Sequence, residues 1–395
     1  MKKWILTLAI LLVAFQGRCM AAATLTEAEN PAAMALSEIR FQLILPEHFF
    51  NADNNLFNPE NINADLITAE AKKEFLDQLE NGEFSADLVT SFKTGVTIGH
   101  WGVYLRPWLS GSINLRSGIP QLIFEGYEIG KTYEINDSKA EGIAAGSLDI
   151  TYGRKLWTNE NSTFSGGMTL HYLRGLAVGQ GVVTGNNLTT DEWGQAEYDI
   201  MVDSSYGVIG DEGFHGEGFL ADLGFLYQNK PWSVGLVFKN LGPAVVWEGL
   251  TRETTHYTGN ITGGPEGPEL PEPESTTVTE SRANLSTRIP ITVHLYGGWQ
   301  LKESLEWIFG VKKGLKDAWG ITTAPLTYMG LDWQPAAAFG ITGNLYYYKN
   351  QVGLDTALRL KAKIFLFNLA VGWSGGLDNN EASSLNYSFA TGLQF

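Results

Sequence analysis

The links between apolar-alternating segments are short at every second position, and that regularity limits the fold more than any single motif. Read for period two, the chain yields about 14 candidate strands. They fall near 38–46, 88–98, 101–115, 143–152, 163–174, 217–228, 232–240, 289–300, 305–313, 322–334, 337–348, 352–362, 364–374 and 385–395. In EGFLADLGFLYQ, Phe219, Ala221, Leu223, Phe225 and Tyr227 share one face. After Asn229-Lys230-Pro231 the pattern resumes with Trp232, Val234, Leu236 and Phe238, which is a hairpin signature. The links GH, GRKLWTNENS, NKP, KES and QP are short, while 47–87, 116–142, 175–216 and 241–288 are long. A soluble sandwich has no reason to alternate in this way. A transmembrane barrel does, with short periplasmic turns and long external loops. Most segments have about the 9 to 11 residues that a tilted strand needs to cross a bilayer.

The fold expected is therefore all-β: a transmembrane antiparallel β-barrel of about 14 strands, with a short N-terminal plug segment and a helix in the first long loop. An even strand count places both termini in the periplasm and the barrel in a cell outer membrane. Residues 1–23, with Lys2, Lys3, the apolar run Trp4–Phe15 and Ala21-Ala22-Ala23, read as a secretory signal peptide. Arg18 stands before Cys19 where a lipid-attachment site carries a small residue. With Cys19 removed, the mature chain has no thiol for a disulfide or a metal. Residues 24–37 then form the N-terminal plug-like segment and 38–395 the barrel. No later run of 18 apolar residues marks a helical span. A net charge of -16 argues against nucleic acid as a partner.

Trp101, Trp232, Trp299, Trp307 and Trp333 fall on the apolar parity near short-turn ends, as an interfacial girdle requires. The opposite parity carries Lys93, Arg106, Asp149, His171, Asp222, Lys239, His294, Glu306, Lys312, Asp332, Asp355, Arg359 and Lys361. These are expected to line the lumen, either as structural ion pairs or along a watery path.

Two loops carry their own signals. In 47–87, Thr68 as N-cap, Glu70 in the first turn and Asn81-Gly82 as the stop predict a helix. Its stripe of Phe75, Leu76 and Leu79 packs on the barrel rim or contacts a hydrophobic small-molecule ligand. Loop 241–288 contains TGGPEGPELPEPESTTVTE and reads as a mobile acidic external loop. No metal spacing, G-x-S-x-G or phosphate loop is present, and no cofactor is expected. The cluster DEGFHGE around His215 suggests a hydrolase less well than it suggests a glycine-rich loop with charges, so no enzyme is assigned.

The chain ends LNYSFATGLQF, alternating to its last residue. As the final strand of a closed sheet it pairs with its predecessor and with the first strand, and no free edge is left in lipid.

Three stretches carry a resemblance. They are NPAAMA from Asn30, DLGFLYQNKPWSVGLVFKNLGPAVVW from Asp222, and GRKLWTNENSTFSGGMTLHYLRGLA from Gly153. Together they resemble the superfamily of 14-stranded outer-membrane barrels that includes the long-chain fatty-acid transporters. The resemblance implies passive uptake of small hydrophobic or amphipathic molecules, captured by external loops and passed through an N-terminal plug and a gap in the wall. It also admits a non-transporting scaffold for envelope or secreted proteins. It implies that Asn30, Pro31 and Ala32 belong to the plug, although residues 24–37 are fewer than the transporters' plug. It further implies that Phe389, Leu393 and Phe395 form a signal read by the barrel-assembly machinery, with outer-membrane lipid around the wall.

Overall fold

The computed structural model describes residues 30–37, 39–54, 83–124, 128–193, 195–210, 215–264, 267–269, 274–349, 351–376 and 383–395. The expected signal peptide and the helix carrying Phe75, Leu76 and Leu79 lie outside the described residues.

The strands are β1 (Phe41–Asn54), β2 (Phe84–Ile98), β3 (Trp101–Leu115), β4 (Thr132–Tyr133), β5 (Lys139–Thr158), β6 (Ser162–Gly185), β7 (Leu188–Thr190), β8 (Ala196–Val208), β9 (His215–Asn229) and β10 (Trp232–Leu241). They continue as β11 (Val245–Gly264), β12 (Gly267–Glu269), β13 (Glu274–Thr287), β14 (Thr292–Lys302), β15 (Leu305–Gly314), β16 (Leu326–Ala336), β17 (Phe339–Tyr348), β18 (Gln351–Ala362), β19 (Phe365–Gly376) and β20 (Ser383–Gln394). A 3-10 helix, Pro31–Leu36, precedes them, and one short α-helix, α1 (Gly118–Phe124), follows β3.

All the pairings are antiparallel, and they close on themselves. Neighbours run β2, β3, β5, β6, β9, β10, then β14 through β20 in order, and β1 pairs with both β20 and β2. At the seam the Phe395 N–H donates to the Phe41 carbonyl at 2.9 Å, and the two rings lie 5.9 Å apart. Closure satisfies every strand edge within the circuit.

The sheet holds 20 strand segments where about 14 were expected. The six additional ones, β4, β7, β8, β11, β12 and β13, lie in segments expected to be external loops. Loop 241–288 is corrected most. It is largely the β11–β13 ladder, in register from Val245↔Thr287 to Thr258↔Glu274. Threonine, valine and tyrosine fill its arms, and these β-branched and aromatic residues outweigh the Pro/Gly/Glu-rich tip. Loop 175–216 is corrected too, because β6 runs on to Gly185 and pairs with β8. β1 also extends beyond 46. Pro46 falls where the β1 register slips against β2 and β20, so the bulge absorbs the missing N–H and the strand resumes.

β8 and β9, β10 and β11, and β13 and β14 run end to end along three neighbouring lines of the wall. The second and third lines are interrupted at 242–244 and 288–291. Asn240 bridges this level: its backbone N–H donates to Asp222 Oδ1 at 2.9 Å and its side chain to the Pro290 carbonyl at 3.1 Å.

The two faces differ chemically. Leu105, Leu170, Phe219, Leu295, Met329, Leu345 and Leu354 project outward and are exposed. Trp101, Trp232 and Trp333 are exposed near the short-turn end. Such a continuous apolar exterior suits hydrocarbon, and a water-soluble domain would not present it. On the inner face, tyrosine rings lie across glycines. Tyr296 covers Gly235, Tyr328 covers Gly310, Tyr346 covers Gly353 and Tyr104 covers Gly95, each on the adjacent strand, and Tyr104 also covers Gly102 on its own strand. A β-carbon at Gly235 would stand 2.1 Å from the Tyr296 ring.

Candidate functional site

The lumen is a concave space that the fold builds from many strands, and its lining falls into layers. At the short-turn end lies the 3-10 helix. Asn30 caps it, accepting from the Ala32 N–H at 2.8 Å. The Asn30 amide donates to the Phe225 carbonyl at 2.9 Å and to the Tyr296 hydroxyl at 3.0 Å. Ala32 and Ala35 are fully buried against the inward faces of β5, β6 and β9. Three glycines make room for this. A β-carbon at Gly153, Gly167 or Gly224 would stand 2.7, 2.2 and 2.0 Å from the nearest atom of residues 30–35. Asn30, Pro31 and Ala32 thus lie inside the barrel wall.

Above the helix is a charged layer. His171 lies between two carboxylates, Nδ1 2.7 Å from Asp149 Oδ1 and Nε2 3.2 Å from Asp222 Oδ2. Arg106 Nε is 3.0 Å from the other Asp149 oxygen. Four strands, β3, β5, β6 and β9, are tied by this chain of charges, as a buried ionic network must be if it is not to destabilise. Across the lumen, Arg359 pairs with Asp332, which also accepts from Thr342 Oγ1 at 2.8 Å. Glu306 lies beside them and accepts from Ser233. His294 is fully buried, with Nε2 3.0 Å from the Tyr328 hydroxyl. Lys93 pairs with Glu47 at 3.6 Å, and Lys361 donates to Gln394 at 3.0 Å. Lys239, Lys312 and Asp355 occupy inward register positions opposite Thr292, His294 and Asn344. Six of the thirteen residues expected to face the lumen, Arg106, Asp149, His171, Asp222, Asp332 and Arg359, are therefore paired with one another.

The third layer was not anticipated from the sequence. The connection between β15 and β16 folds inward, and its tip reaches the opposite wall. Ala318 and Ile321 exchange backbone hydrogen bonds of 3.0 and 2.9 Å around Trp319-Gly320. Both central residues have positive φ, 53° and 73°, as in a type I′ turn. Asparagine or glycine suits the first of these positions; tryptophan there carries strain of about 1–3 kcal/mol. Ser110 donates to the Trp319 carbonyl, and the Trp319 N–H donates to Glu141 Oε1 at 2.5 Å. The indole is buried in an apolar cluster with Ile143, Leu173, Leu220, Trp247 and Ile289, against which Trp108 and Ile321 pack. Asp317 braces the base of the loop, its carboxylate accepting from the Thr323 N–H at 2.6 Å. Burial alone would raise this carboxyl's pKa, but the Thr323 hydrogen bonds outweigh it and hold it below the ordinary value of 3.8.

At the long-connection end Lys349 reaches across the lumen to Asp53 and Asp87, at 3.0 and 2.7 Å. Among the described residues, no group of three or more His, Cys, Asp or Glu is arranged to hold a metal. His215 opens β9 beside Glu248 and is exposed.

A closed antiparallel sheet, an apolar exterior and an N-terminal segment packed inside the wall define a transmembrane β-barrel fold. Among solved structures, the chain is similar to the Pseudomonas putida toluene transporter TodX, at 10% identity and a TM-score of 0.51 over 93% of each chain. It is also similar to the CymD monoaromatic hydrocarbon channel, at 10% identity and 0.51 over 96% of this chain and 95% of that one. A Pseudomonas aeruginosa FadL homologue aligns at 10% identity and 0.44 over 97% of each. No protein-family model and no curated protein matches the chain.

Proposed function

We propose that the chain is an outer-membrane barrel for passive uptake of small hydrophobic or amphipathic molecules, with no catalytic role. The observation that carries this reading is the apolar cluster around Trp108, Trp247 and Trp319 inside the lumen, beside the ionic layer of Arg106, Asp149 and His171. A molecule that partitions out of water finds there an apolar stop between the two ends. TodX, described as a toluene transporter, and CymD, a monoaromatic hydrocarbon channel, lend support through a common fold. In this reading both termini and the short turns are periplasmic, and residues 30–36 are a plug. The interrupted wall at 242–244 and 288–291 is a sideways exit. Phe75, Leu76 and Leu79, expected from the sequence to form one apolar stripe, are a proposed first contact for ligand.

The test is uptake of radiolabelled toluene by cells of a Gram-negative host lacking its own hydrocarbon channels. Expression of the barrel is expected to raise the initial rate well above the empty-vector rate. An unchanged rate, with folded barrel in the outer membrane, sinks the reading. It would favour a barrel that moves nothing and presents the β11–β13 ladder, exposed from Glu274 to Arg282, to an envelope partner.

Phe389, Leu393 and Phe395 are proposed as the signal for the assembly machinery. Deleting Phe395 is expected to leave most of the protein unassembled, read as loss of the heat-modifiable gel band. Normal assembly reduces Phe395 to a lipid-facing ring that happens to close the seam.

A further inference from the structure

The inward loop between β15 and β16 poses a question that uptake alone does not answer. A hairpin tip with two positive φ angles is built most readily from asparagine and glycine, yet its first position holds the bulkiest side chain. The loop's own backbone gains nothing from that choice. The indole does gain: it is almost fully buried, in a cluster assembled from β3, β5, β6, β9, β11, β13 and the segment at Ile289. These walls are aromatic and branched aliphatic, with Trp108, Ile143, Leu173, Trp247 and Ile289 among them. The polar contacts of the tip all involve its backbone: the Trp319 carbonyl with Ser110 and the Trp319 N–H with Glu141. Gly320 fits closely as well, since a β-carbon there would stand 2.8 Å from Ser110 Oγ and 3.2 Å from the Gly111 carbonyl. The loop therefore docks by its backbone and delivers the ring.

We propose that this cluster is a binding site for a flat aromatic molecule of indole size, and that Trp319 is its resident occupant. The ring holds the place of the ligand while the lumen is empty. An incoming aromatic takes the same walls, and the strained tip withdraws with its ring. This rests on the uptake reading for its purpose, but not for its evidence, which is the loop's conformation and the walls around the indole. The ligand class follows from the shape of the group already seated there: planar, bicyclic or monocyclic, without charge.

The test removes the occupant and leaves the turn. Trp319→Asn and Trp319→Gly both suit a residue with positive φ, so the two variants keep the hairpin tip by independent substitutions. Purified barrels in detergent are titrated with indole by calorimetry. Either variant is expected to bind indole at least about tenfold more tightly than the unsubstituted protein, a shift of about 1.4 kcal/mol. Trp333→Asn, which removes an outward ring, serves as the control and is expected to leave indole binding unchanged. Equal indole affinity in the unsubstituted protein and both variants overturns the proposal, as does an equal gain in Trp333→Asn. Toluene uptake by cells separates the two ideas. Tight indole binding by Trp319→Asn without uptake by the unsubstituted barrel leaves the site standing and removes the transport reading. Uptake without any difference in indole binding does the reverse.

Discussion

Replacing Lys349 with methionine is expected to lower the unfolding free energy of the barrel by about 3–5 kcal/mol, the usual effect of removing one partner from a buried ion pair. Asp53 and Asp87 are direct cross-strand partners on β1 and β2, so two carboxylates stand side by side on the inner wall. Asp53 is only 3% exposed. Lys349, in the turn after β17, supplies the ammonium that bonds both. Burial by itself would lower its pKa, but Asp53 and then Asp87 outweigh that and hold the ammonium charged far above neutrality. Methionine keeps the length of the stem and removes only the charge. Urea unfolding in detergent at pH 8 measures the loss. Adding Asp87→Asn to Lys349→Met is expected to restore part of it, because the like-charge contact disappears. The deficit of the single variant should narrow as pH falls, since protonating one carboxylate has the same effect. A single variant within about 0.5 kcal/mol of the parent, the range of ordinary surface changes, would mean that water screens this cluster.

Gly167→Val is expected to open the lumen. No β-carbon fits at Gly167, whose place would lie 2.2 Å from the Pro31 backbone and 2.4 Å from the Ala32 nitrogen. The wall strand is fixed by its ladders to β5 and β9, so the 3-10 helix is the part that gives way. Its anchors are few: the Asn30 bonds to Phe225 and Tyr296, and the contact of the Met34 carbonyl with His100. If residues 30–36 block the lumen, single-channel conductance in planar bilayers rises severalfold in the variant. Unchanged conductance would show that the obstruction lies higher, at the Trp319 loop. Gly179→Val is a fair control, because a β-carbon at Gly179 meets nothing within 4 Å.

The barrel was legible because lipid on one side and a packed lumen on the other impose strict parity. Asp149, His171 and Asp222 could be assigned to one face from period two alone, and the structure brings these three together. Parity does not say which neighbours meet, so the network itself was out of reach. The extra strands were missed for a different reason. Beyond the bilayer both faces of a strand are wet, so β13 alternates weakly and its Thr/Ser run reads as loop. Pro46 halted the first strand on paper, whereas a bulge let it continue. The Trp319 loop left no usable trace. It is short, and tryptophan is the wrong residue for the turn it forms. Only knowledge of what surrounds the ring explains its presence.

The tyrosines laid over glycines couple positions on separate strands. Enlarging Gly235 alone collides with Tyr296, and trimming Tyr296 alone leaves a slot in the lining while the hydrogen-bonded wall stays closed. Change at either place is therefore permitted only in company, and substitutions should accumulate as matched pairs: a smaller ring with a larger partner. The bore of such a barrel is set strand pair by strand pair. It can be retuned locally, by exchanging one ring for another, without renumbering the staves of the barrel.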